Sequence, residues 1–382
     1  MYFCTSITGS PDTIHYMRTL KFSTSDKNQT NFAVAVRKNV NDYFRENGIA
    51  PTANIYMVLQ TLVMLSLYIV PFVLILTIPM NVWFALGLVI IMGLGTAGIG
   101  MSVMHDAVHG SYSRKEWVNK MFGSTMYLLG SNVFNWRVQH NILHHTNTNI
   151  DGFDGDIDSK GPIRLSHSAP YKKFHRYQHF HAFFFYGLMT LSKLVQDFTQ
   201  LAEYNKAGIT RQLKRNPVTE YIKMVSLKVI YLFIFIGLTL FFTEFTWWQV
   251  LIGFVIMHWT AGFILSIIFQ LAHVVEGAEQ PSPNEHGVVD SDWAVHELAT
   301  TSNFGRNNWL LTWYVGGLNF QIEHHLFPHI CHVHYSKISH IVEKTANEYG
   351  LNYNLKPRFR DALRSHIRML KVLGRPAQST AA

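Results

Sequence analysis

The sequence predicts an all-α integral membrane protein with four membrane-spanning helices in two hairpins and a helical cap on one side of the membrane. Four apolar stretches are the first observation that predicts this class. At 1.5 Å per helical residue, each is long enough to cross a hydrocarbon core about 30 Å thick. Very short turns join the first stretch to the second and the third to the fourth. The expected spans lie at about 54–77, 82–104, 224–242 and 247–271.

The positions of the basic residues are the second observation, because they indicate which helix ends share one side. No Lys or Arg occurs between Arg45 and Arg114, or between Lys228 and Arg306. Both hairpin turns therefore lack positive charge, and all 32 basic residues fall on the opposite side. Lys and Arg tend to remain cytoplasmic. We therefore expect both termini, the segment between the hairpins and the cap to face the cytosol.

The composition favours a lipid surface over nucleic acid as the partner of the basic residues. The formal charge of +8 suits attraction to anionic lipid headgroups. Basic residues such as Lys172, Lys173 and Lys214 are dispersed among acids and histidines, and no nucleic-acid motif is evident, so we predict no nucleic-acid partner. Cys4 and Cys331 would both be cytosolic, which argues against a structural disulfide.

The chain is expected to form one integrated domain, since it has no repeat of fixed period. The domain is predicted over 54–345, with a cytosolic segment at 1–53 and a cytosolic tail at 346–382. The first 50 residues contain no apolar core before a cleavage site, so no removable signal peptide is predicted. The apolar stretch Phe183–Leu191 is too short to span and is expected to lie in the interface or to pack under the cap.

Eight histidines carry the chemical signal of this sequence, because imidazole is a common metal ligand. Seven fall into three clusters, and one ends the fourth apolar stretch. Two histidines four residues apart on a helix share one face and can approach one ion. The predicted ligands are His105 and His109, then His140, His144 and His145, then His273, and finally His324 and His325.

The second and third clusters have more detailed expectations. On an α-helix, His140 and His144 share one face while His145 lies about 100° further round, so one helix can present nitrogens to two neighbouring ions. The third cluster has Gln321 where the second has its first histidine. The amide oxygen of Gln321 could bind a metal directly or hold a ligated water or histidine.

Ligand type alone leaves the metal open, because imidazole-rich sites suit iron, zinc, copper or nickel. Eight histidines exceed the four ligands of a closed zinc site, and no Cys takes part, so two ions sharing the set are the economical solution. Two redox-active irons would make this an oxygen-activating site. A haem between helices is the rival, but it needs only one or two axial histidines.

These residues resemble the membrane fatty-acid desaturase family. The resemblance rests on three boxes in order, His105…His109, His140…His144-His145 and Gln321…His324-His325, separated by hydrophobic hairpins, and it covers about 54–345. The Gln-containing third box, followed by Leu-Phe-Pro, is similar to that of the front-end group, which includes delta-5, delta-6 and linoleoyl-CoA desaturases.

The resemblance implies a cytosolic helical cap holding a non-haem di-iron centre. It implies that the box histidines and His273 bind two iron ions. The implied reaction uses O2 and two electrons to introduce a cis double bond into a fatty acyl-CoA or phospholipid acyl chain. Front-end members place that bond between the carboxyl end and an existing double bond.

Two departures from the family pattern carry further expectations. No His-Pro-Gly-Gly haem motif of a fused cytochrome b5 domain occurs in the first 50 residues, so the electrons are expected from a separate donor, ferredoxin or free cytochrome b5. Three residues separate His140 from His144, where two are commoner. The missing haem motif and the absence of an endoplasmic-reticulum retention signal favour a bacterial inner membrane.

Two alternatives remain open on the sequence. A di-iron lipid hydroxylase would use nearly the same ligands. A non-catalytic membrane protein that stores or moves metal is an alternative of another class, but it predicts ligands deep inside several spans.

Other residues have secondary expectations. An apolar substrate tunnel is expected under the cap, lined in part by aromatic residues near Trp136, Trp309, Trp313 and Tyr314, although ordinary core or interface packing is favoured for any one of them. The acidic run Asp151–Asp158 departs from a calcium loop and is predicted to be a turn. Some of its carboxylates could also hydrogen-bond to ligand histidines. His258 is expected to be structural. Histidines expected at the surface or at headgroups are His167, His175, His179, His181, His329, His332 and His334.

Overall fold

The computed structural model describes residues 20–157 and 161–376. Within them, the prediction of a mainly helical protein with four membrane spans is confirmed. The second span extends past the predicted end to include His105 and His109, and the third begins at Pro217 instead of 224. We call the spans the first to fourth membrane helices: Ile55–Thr77, Val82–His109, Pro217–Phe242 and Trp247–His273.

A polar side chain caps the start of each membrane helix. Asn54, Asn81 and Asn216 each accept hydrogen bonds from backbone N–H groups of the first turn. Thr246 and Gln249 form a capping box at the fourth helix. These side chains satisfy N–H groups that have no partner within a helix. The second and fourth membrane helices therefore begin at capped residues in hairpin turns that contain no basic residue.

The cap is made of shorter helices and two very small sheets. Each sheet has two parallel strands of two residues, which is the one departure of the described residues from the all-α expectation. The strand pairs are Lys21–Phe22 with Val288–Val289, and Asn303–Phe304 with Leu355–Lys356. The remaining α-helices are Lys27–Glu46, Glu116–Gly123, Val133–Trp136, Gln178–Gly187, Met189–Lys206, Ile209–Gln212, Trp293–Thr300, Trp309–Tyr314, Gln321–Leu326, Tyr335–Glu348 and Phe359–Leu373; 3-10 turns cover Ser124–Leu129, Lys173–Tyr177 and His332–His334.

Three segments are π-helical, with the wider i→i+5 hydrogen bonding. They are Ile99–Met104, Arg137–His144 and Phe233–Leu238. The first immediately precedes His105, and the second contains His140. Two of the three histidine clusters therefore follow or occupy a π segment, which changes the direction of their side chains relative to an α-helix.

The N-terminal helix Lys27–Glu46 packs into the cap. It buries Phe32, Val36 and Val40 in a cluster that also contains Ile338 of the helix Tyr335–Glu348. Of the predicted terminal segments, residues 1–19 and 377–382 lie outside the described residues.

The stretch Phe183–Leu191 does not span the membrane. It falls in the helices Gln178–Gly187 and Met189–Lys206, which both pack along the fourth membrane helix. A close backbone approach makes this packing possible, since a Cβ atom on Gly262 would lie 2.6 Å from the carbonyl oxygen of Gly187.

We expect Gly262→Ala to destabilise the protein by about 1–3 kcal/mol, because the added methyl group forces two backbones apart. The matched control is Gly253→Ala on the same helix, where the added Cβ meets Val89 at an ordinary 3.6 Å. That variant should be neutral or slightly more stable, since Ala favours a helix over Gly. Thermal unfolding in detergent measures both variants, and equal melting temperatures would contradict this account of the packing.

Candidate metal centre

The structure brings all eight predicted histidines together where the membrane helices meet the cap. His105 and His109 form the last turn of the second membrane helix, and His273 is the last residue of the fourth. The other five come from the segment Arg137–His145 and from the helix Gln321–Leu326. Seven of the eight are buried, and His109 is half-buried.

The imidazoles form two neighbouring groups with a third set between them. His144, His273 and His325 can each offer a ring nitrogen within 4.8 Å of the others. The larger group, also within 4.8 Å, consists of His105, His109, His140 and His324. The same limit holds for His145 with His324 and His325, so this third set shares one histidine with each of the two groups.

Unpaired ring nitrogens show that the residues fit a metal site. A buried polar atom without a hydrogen-bond partner costs about 1–3 kcal/mol. Such atoms need an explanation when they occur together, and a bound ion is one. Among the described residues, no hydrogen bond reaches Nδ1 or Nε2 of His105 and His273, Nε2 of His109, His324 and His325, or Nδ1 of His145.

Hydrogen bonds from the opposite ring nitrogens orient three of the candidate ligands. His144 Nδ1 lies 3.0 Å from both carboxylate oxygens of Asp154. His325 Nδ1 lies 2.7 Å from Glu297 Oε2, and His324 Nδ1 lies 3.2 Å from the hydroxyl of Tyr335. Partners of this kind fix the ring and its tautomer, leaving Nε2 free for a metal.

The sequence allows the acidic run to supply such hydrogen bonds, and Asp154 does so. Asp154 also accepts hydrogen bonds from the backbone of Asn149 and Asp156, as a turn residue does. Asp158 lies outside the described residues. Glu297 and Tyr335 were missed, because nothing in the sequence links them to histidines that are distant along the chain.

Burial keeps most cap imidazoles neutral. It lowers the pKa of His145, His324 and His325 well below the ordinary value, and neighbouring imidazoles lower it further. His144 differs: burial lowers its pKa, but the carboxylates of Asp154 and Asp156 more than offset this and raise the pKa to about 9. Metal ligands must be deprotonated, so metal binding at His144 would release a proton.

The π segment adds a contact to the predicted pairing in the second cluster. The α-helical spacing grouped His140 with His144, and their ligand atoms do lie within 4.8 Å of each other, together with one of Asp156. In addition, the backbone N–H of His145 bonds to the carbonyl of His140 in the i→i+5 pattern. His140 Nε2 therefore lies 3.3 Å from His145 Nε2. His140 joins the larger group, while His144 joins His273, so the segment still serves both groups.

Gln321 begins the helix that carries the third cluster and is buried. Its Nε2 has no hydrogen-bond partner among the described residues. Its position at the start of the helix places it one helical turn before His324 and His325. Its role as a direct ligand or as a partner of a ligand stays a prediction.

The expectation that His332 lies at the surface was wrong. It is buried, with Nδ1 2.9 Å from Asp106 Oδ2 and Nε2 2.9 Å from Gln60 Oε1. The other carboxylate oxygen of Asp106 lies 3.7 Å from His105 Nδ1. The same expectation was wrong for His175 and His334, which are also buried.

We expect His332→Asn to weaken metal binding by about 10- to 100-fold, the usual effect of removing a partner behind a ligand. The reason is that Asp106 would lose its contact with the imidazole and keep the bond from the backbone N–H of residue 332, so it would be held less firmly beside His105. His334→Asn is the matched control, because His334 is buried in the same turn but bonds to the carbonyl of Thr52. Competition with a chelator measures the affinity, and equal loss in both variants would contradict a specific role for His332.

His258 is structural, as expected. Its Nε2 lies 2.8 Å from the hydroxyl of Tyr231, and its Nδ1 lies 3.1 Å from that of Thr190. Both ring nitrogens therefore have partners, unlike those of His105 and His273.

A cavity of about 640 Å³ opens beside the histidines. His140 and His273 line it, and it follows the second membrane helix from Met104 to Thr96. Of the four aromatic residues expected along a tunnel, Trp136 lines this cavity, but Trp309, Trp313 and Tyr314 do not.

Comparison with known proteins decides the family. The pattern of the family described as Fatty acid desaturase matches residues 81–357. This chain belongs to the fatty acid desaturase family. As a fatty acid desaturase it is an oxidoreductase that acts on fatty acyl chains.

The relatives of this desaturase include proteins from cyanobacteria and a moss. It is 33% identical over 345 residues to the sn-1 linoleoyl-lipid 6-desaturase of Arthrospira platensis, covering 90% of this chain and 92% of that protein. A protein of the same name from Synechocystis is 32% identical over 345 residues, covering 90% and 96%. The acyl-lipid (8-3)-desaturase of Physcomitrium patens is 34% identical over 352 residues, covering 92% and 73%.

Proposed function

We propose that this desaturase is a di-iron, front-end enzyme that introduces a cis double bond into an unsaturated acyl chain. The observation that carries the proposal is the set of buried, unpaired imidazole nitrogens beside a 640 Å³ cavity whose wall includes His140 and His273. Iron bound there would supply the oxidising chemistry needed to break an unactivated methylene C–H bond. The residues of the chain would bind the acyl chain and exclude water.

The proposed iron ligands are the eight histidines of the two groups, with Gln321 as a direct ligand or as a partner of one. Neutral imidazoles bind iron without offering an easily oxidised thiolate. Cys331, the cysteine among the described residues, clusters with Asp106 and His332 instead of with the imidazole groups. This ligand chemistry favours iron for an enzyme whose family acts on acyl chains.

The residues around the cavity have two tasks in this proposal. Apolar side chains such as Met104, Leu265 and Phe269 line it beside His140 and His273, and they would hold the acyl chain against the metal centre and exclude water. The balanced reaction removes two hydrogens from adjacent methylenes. Together with two electrons and two protons, they reduce O2 to two waters.

The names of the relatives support a lipid-linked, front-end substrate. The Arthrospira and Synechocystis proteins are named for linoleoyl-lipid and for position 6. We extend this to the present chain as an acyl-lipid substrate, with acyl-CoA as the other carrier. The electrons would come from a separate donor, ferredoxin or free cytochrome b5.

The proposed orientation places the metal centre and the termini in the cytosol. It rests on the 32 basic residues, which avoid both hairpin turns. We propose a bacterial inner membrane as the location. Protease protection of tags at either terminus in sealed inverted vesicles would test the orientation.

Lipid analysis tests the proposed reaction. The chain is expressed in a host fed linoleic acid, together with a ferredoxin or cytochrome b5 donor, and the fatty acids are analysed by mass spectrometry. We expect a new double bond between the carboxyl end and the existing bonds. A hydroxylated product would support a hydroxylase instead, and no new product despite bound iron and a competent donor would refute both.

A further inference from the structure

One wall of the 640 Å³ cavity is polar, and the side-chain amide of Gln139 lies at the centre of this wall. Lys193 Nζ donates to Gln139 Oε1 over 2.5 Å, and Gln200 Nε2 donates to the same oxygen over 2.9 Å. Gln139 Nε2 in turn donates to Asp156 Oδ1 over 2.7 Å. All four residues line the cavity. We call Gln139, Lys193 and Gln200 the polar wall.

The ammonium group of Lys193 has unused hydrogen-bonding capacity. It carries three donors, and the hydrogen bond to Gln139 is the one that it makes to the described residues. Lys228 nearby is fully engaged by Asp197 Oδ2 and by the carbonyls of Gly130 and Lys193. No carboxylate of the described residues lies within 4.0 Å of Lys193 Nζ. Lys193 is half-buried at the cavity wall, and its remaining donors are available for an oxygen acceptor in the cavity.

The polar wall adjoins the candidate metal centre. Gln139 directly precedes His140, and Asp156 Oδ2 lies 3.6 Å from His144 Nδ1. The same cavity is lined by Met104, Gly100 and Thr96 of the second membrane helix. The carbons nearest the polar end of an acyl chain held at Lys193 would therefore lie beside the wall that carries His140 and His273.

We propose that Lys193, held by Gln139, binds the carbonyl oxygen of the substrate's ester or thioester. This contact would fix the register of the acyl chain and place the new double bond towards its carboxyl end. The inference rests on the proposed function and deepens it. A phospholipid ester and a CoA thioester present the same carbonyl acceptor, so both sources are tested.

The binding test compares substrates with and without the carbonyl group. The probes are linoleoyl phosphatidylcholine, its ether analogue and linoleoyl-CoA, each titrated into the iron-loaded protein without O2 or electron donor so that no turnover occurs. Lys193→Met should bind the ester or the thioester about tenfold or more weakly than the wild type, the usual effect of losing a hydrogen bond to a charged group. The ether analogue should bind both proteins equally.

Two further variants separate this role from a structural one. Lys193→Arg keeps a cationic donor and should restore part of the affinity. Lys206→Met removes a basic residue from the exposed end of the same helix and should bind like the wild type. Whichever carrier shows the difference between wild type and Lys193→Met is the substrate source.

Product position gives a second, independent readout. Lys193→Met should spread the new double bond over neighbouring positions, whereas mere misfolding would lower the yield without moving the bond. The inference is overturned if Lys193→Met binds the ester and thioester as tightly as the wild type, or if the wild type binds neither. A wild-type protein that binds the ester through Lys193 but forms no double bond would refute the proposed function alone.

Discussion

Replacing His324 with alanine is expected to abolish desaturation and to remove metal from the larger imidazole group. The reason is position: a ring nitrogen of His324 lies within 4.8 Å of ligand atoms in the larger group and also of those of His145 and His325. Loss of this imidazole therefore weakens the larger group and the set that links it to His144, His273 and His325. We expect product below the detection limit and no more than about one metal ion per chain, as measured by lipid analysis and by elemental mass spectrometry.

The control for this variant is His340→Ala. His340 is exposed on the helix Tyr335–Glu348, so its loss removes an imidazole without touching the centre. It should keep the metal content and activity of the wild type. The account is contradicted if His324→Ala retains two metal ions per chain, provided that both variants elute as folded proteins.

The second large effect is expected for Glu297→Gln. The Glu297 carboxylate lies 2.7 Å from His325 Nδ1 and accepts a hydrogen bond from Thr148 Oγ1 over 2.8 Å, in a fully buried position. The substitution keeps the shape but replaces the carboxyl group that holds His325 through its Nδ1. We expect metal affinity to fall by about 10- to 100-fold and activity to fall with it.

Chelator competition measures this loss of affinity. Glu285→Gln is the control, because Glu285 is exposed and would lose the same charge at the surface. It should bind metal as the wild type does. If Glu297→Gln and Glu285→Gln have equal affinities, the hydrogen bond between Glu297 and His325 does not tune the site.

The membrane helices could be predicted because their signal is local. Length and hydrophobicity follow directly from consecutive residues, and the caps at Asn54, Asn81 and Asn216 belong to the same local pattern. The start of the third helix was missed because Pro217–Lys223 is more polar than the rest, while the N-cap of Asn216 and Pro217 at the first position begin the helix there.

The grouping of the histidines could be predicted only in part. Spacing indicated that one helix serves two ions and grouped His140 with His144, but it missed the close approach of His140 to His145. The π segment Arg137–His144 causes the difference, because periodicity in so short a segment cannot distinguish it from an α-helix. The prediction for His332 failed for another reason. Its partner Asp106 is 226 residues away in the sequence, so only the fold joins them.

The aromatic residues and the polar wall show the same limit. Trp309 was expected along the tunnel, yet it is 77% exposed. Tryptophan is as typical of membrane surfaces as of apolar tunnels. Lys193, in contrast, carried no signal among 32 basic residues. Its hydrogen bond to Gln139 at the cavity wall is a tertiary feature that no local pattern indicates.

The metal content of the purified protein tests the central claim most directly. The chain is expressed with iron, purified in detergent and analysed by elemental mass spectrometry together with Mössbauer spectroscopy. Two buried imidazole groups predict two iron ions per chain in a non-haem spectrum. A single ion, a haem spectrum, or zinc retained in the presence of excess iron would contradict the di-iron centre.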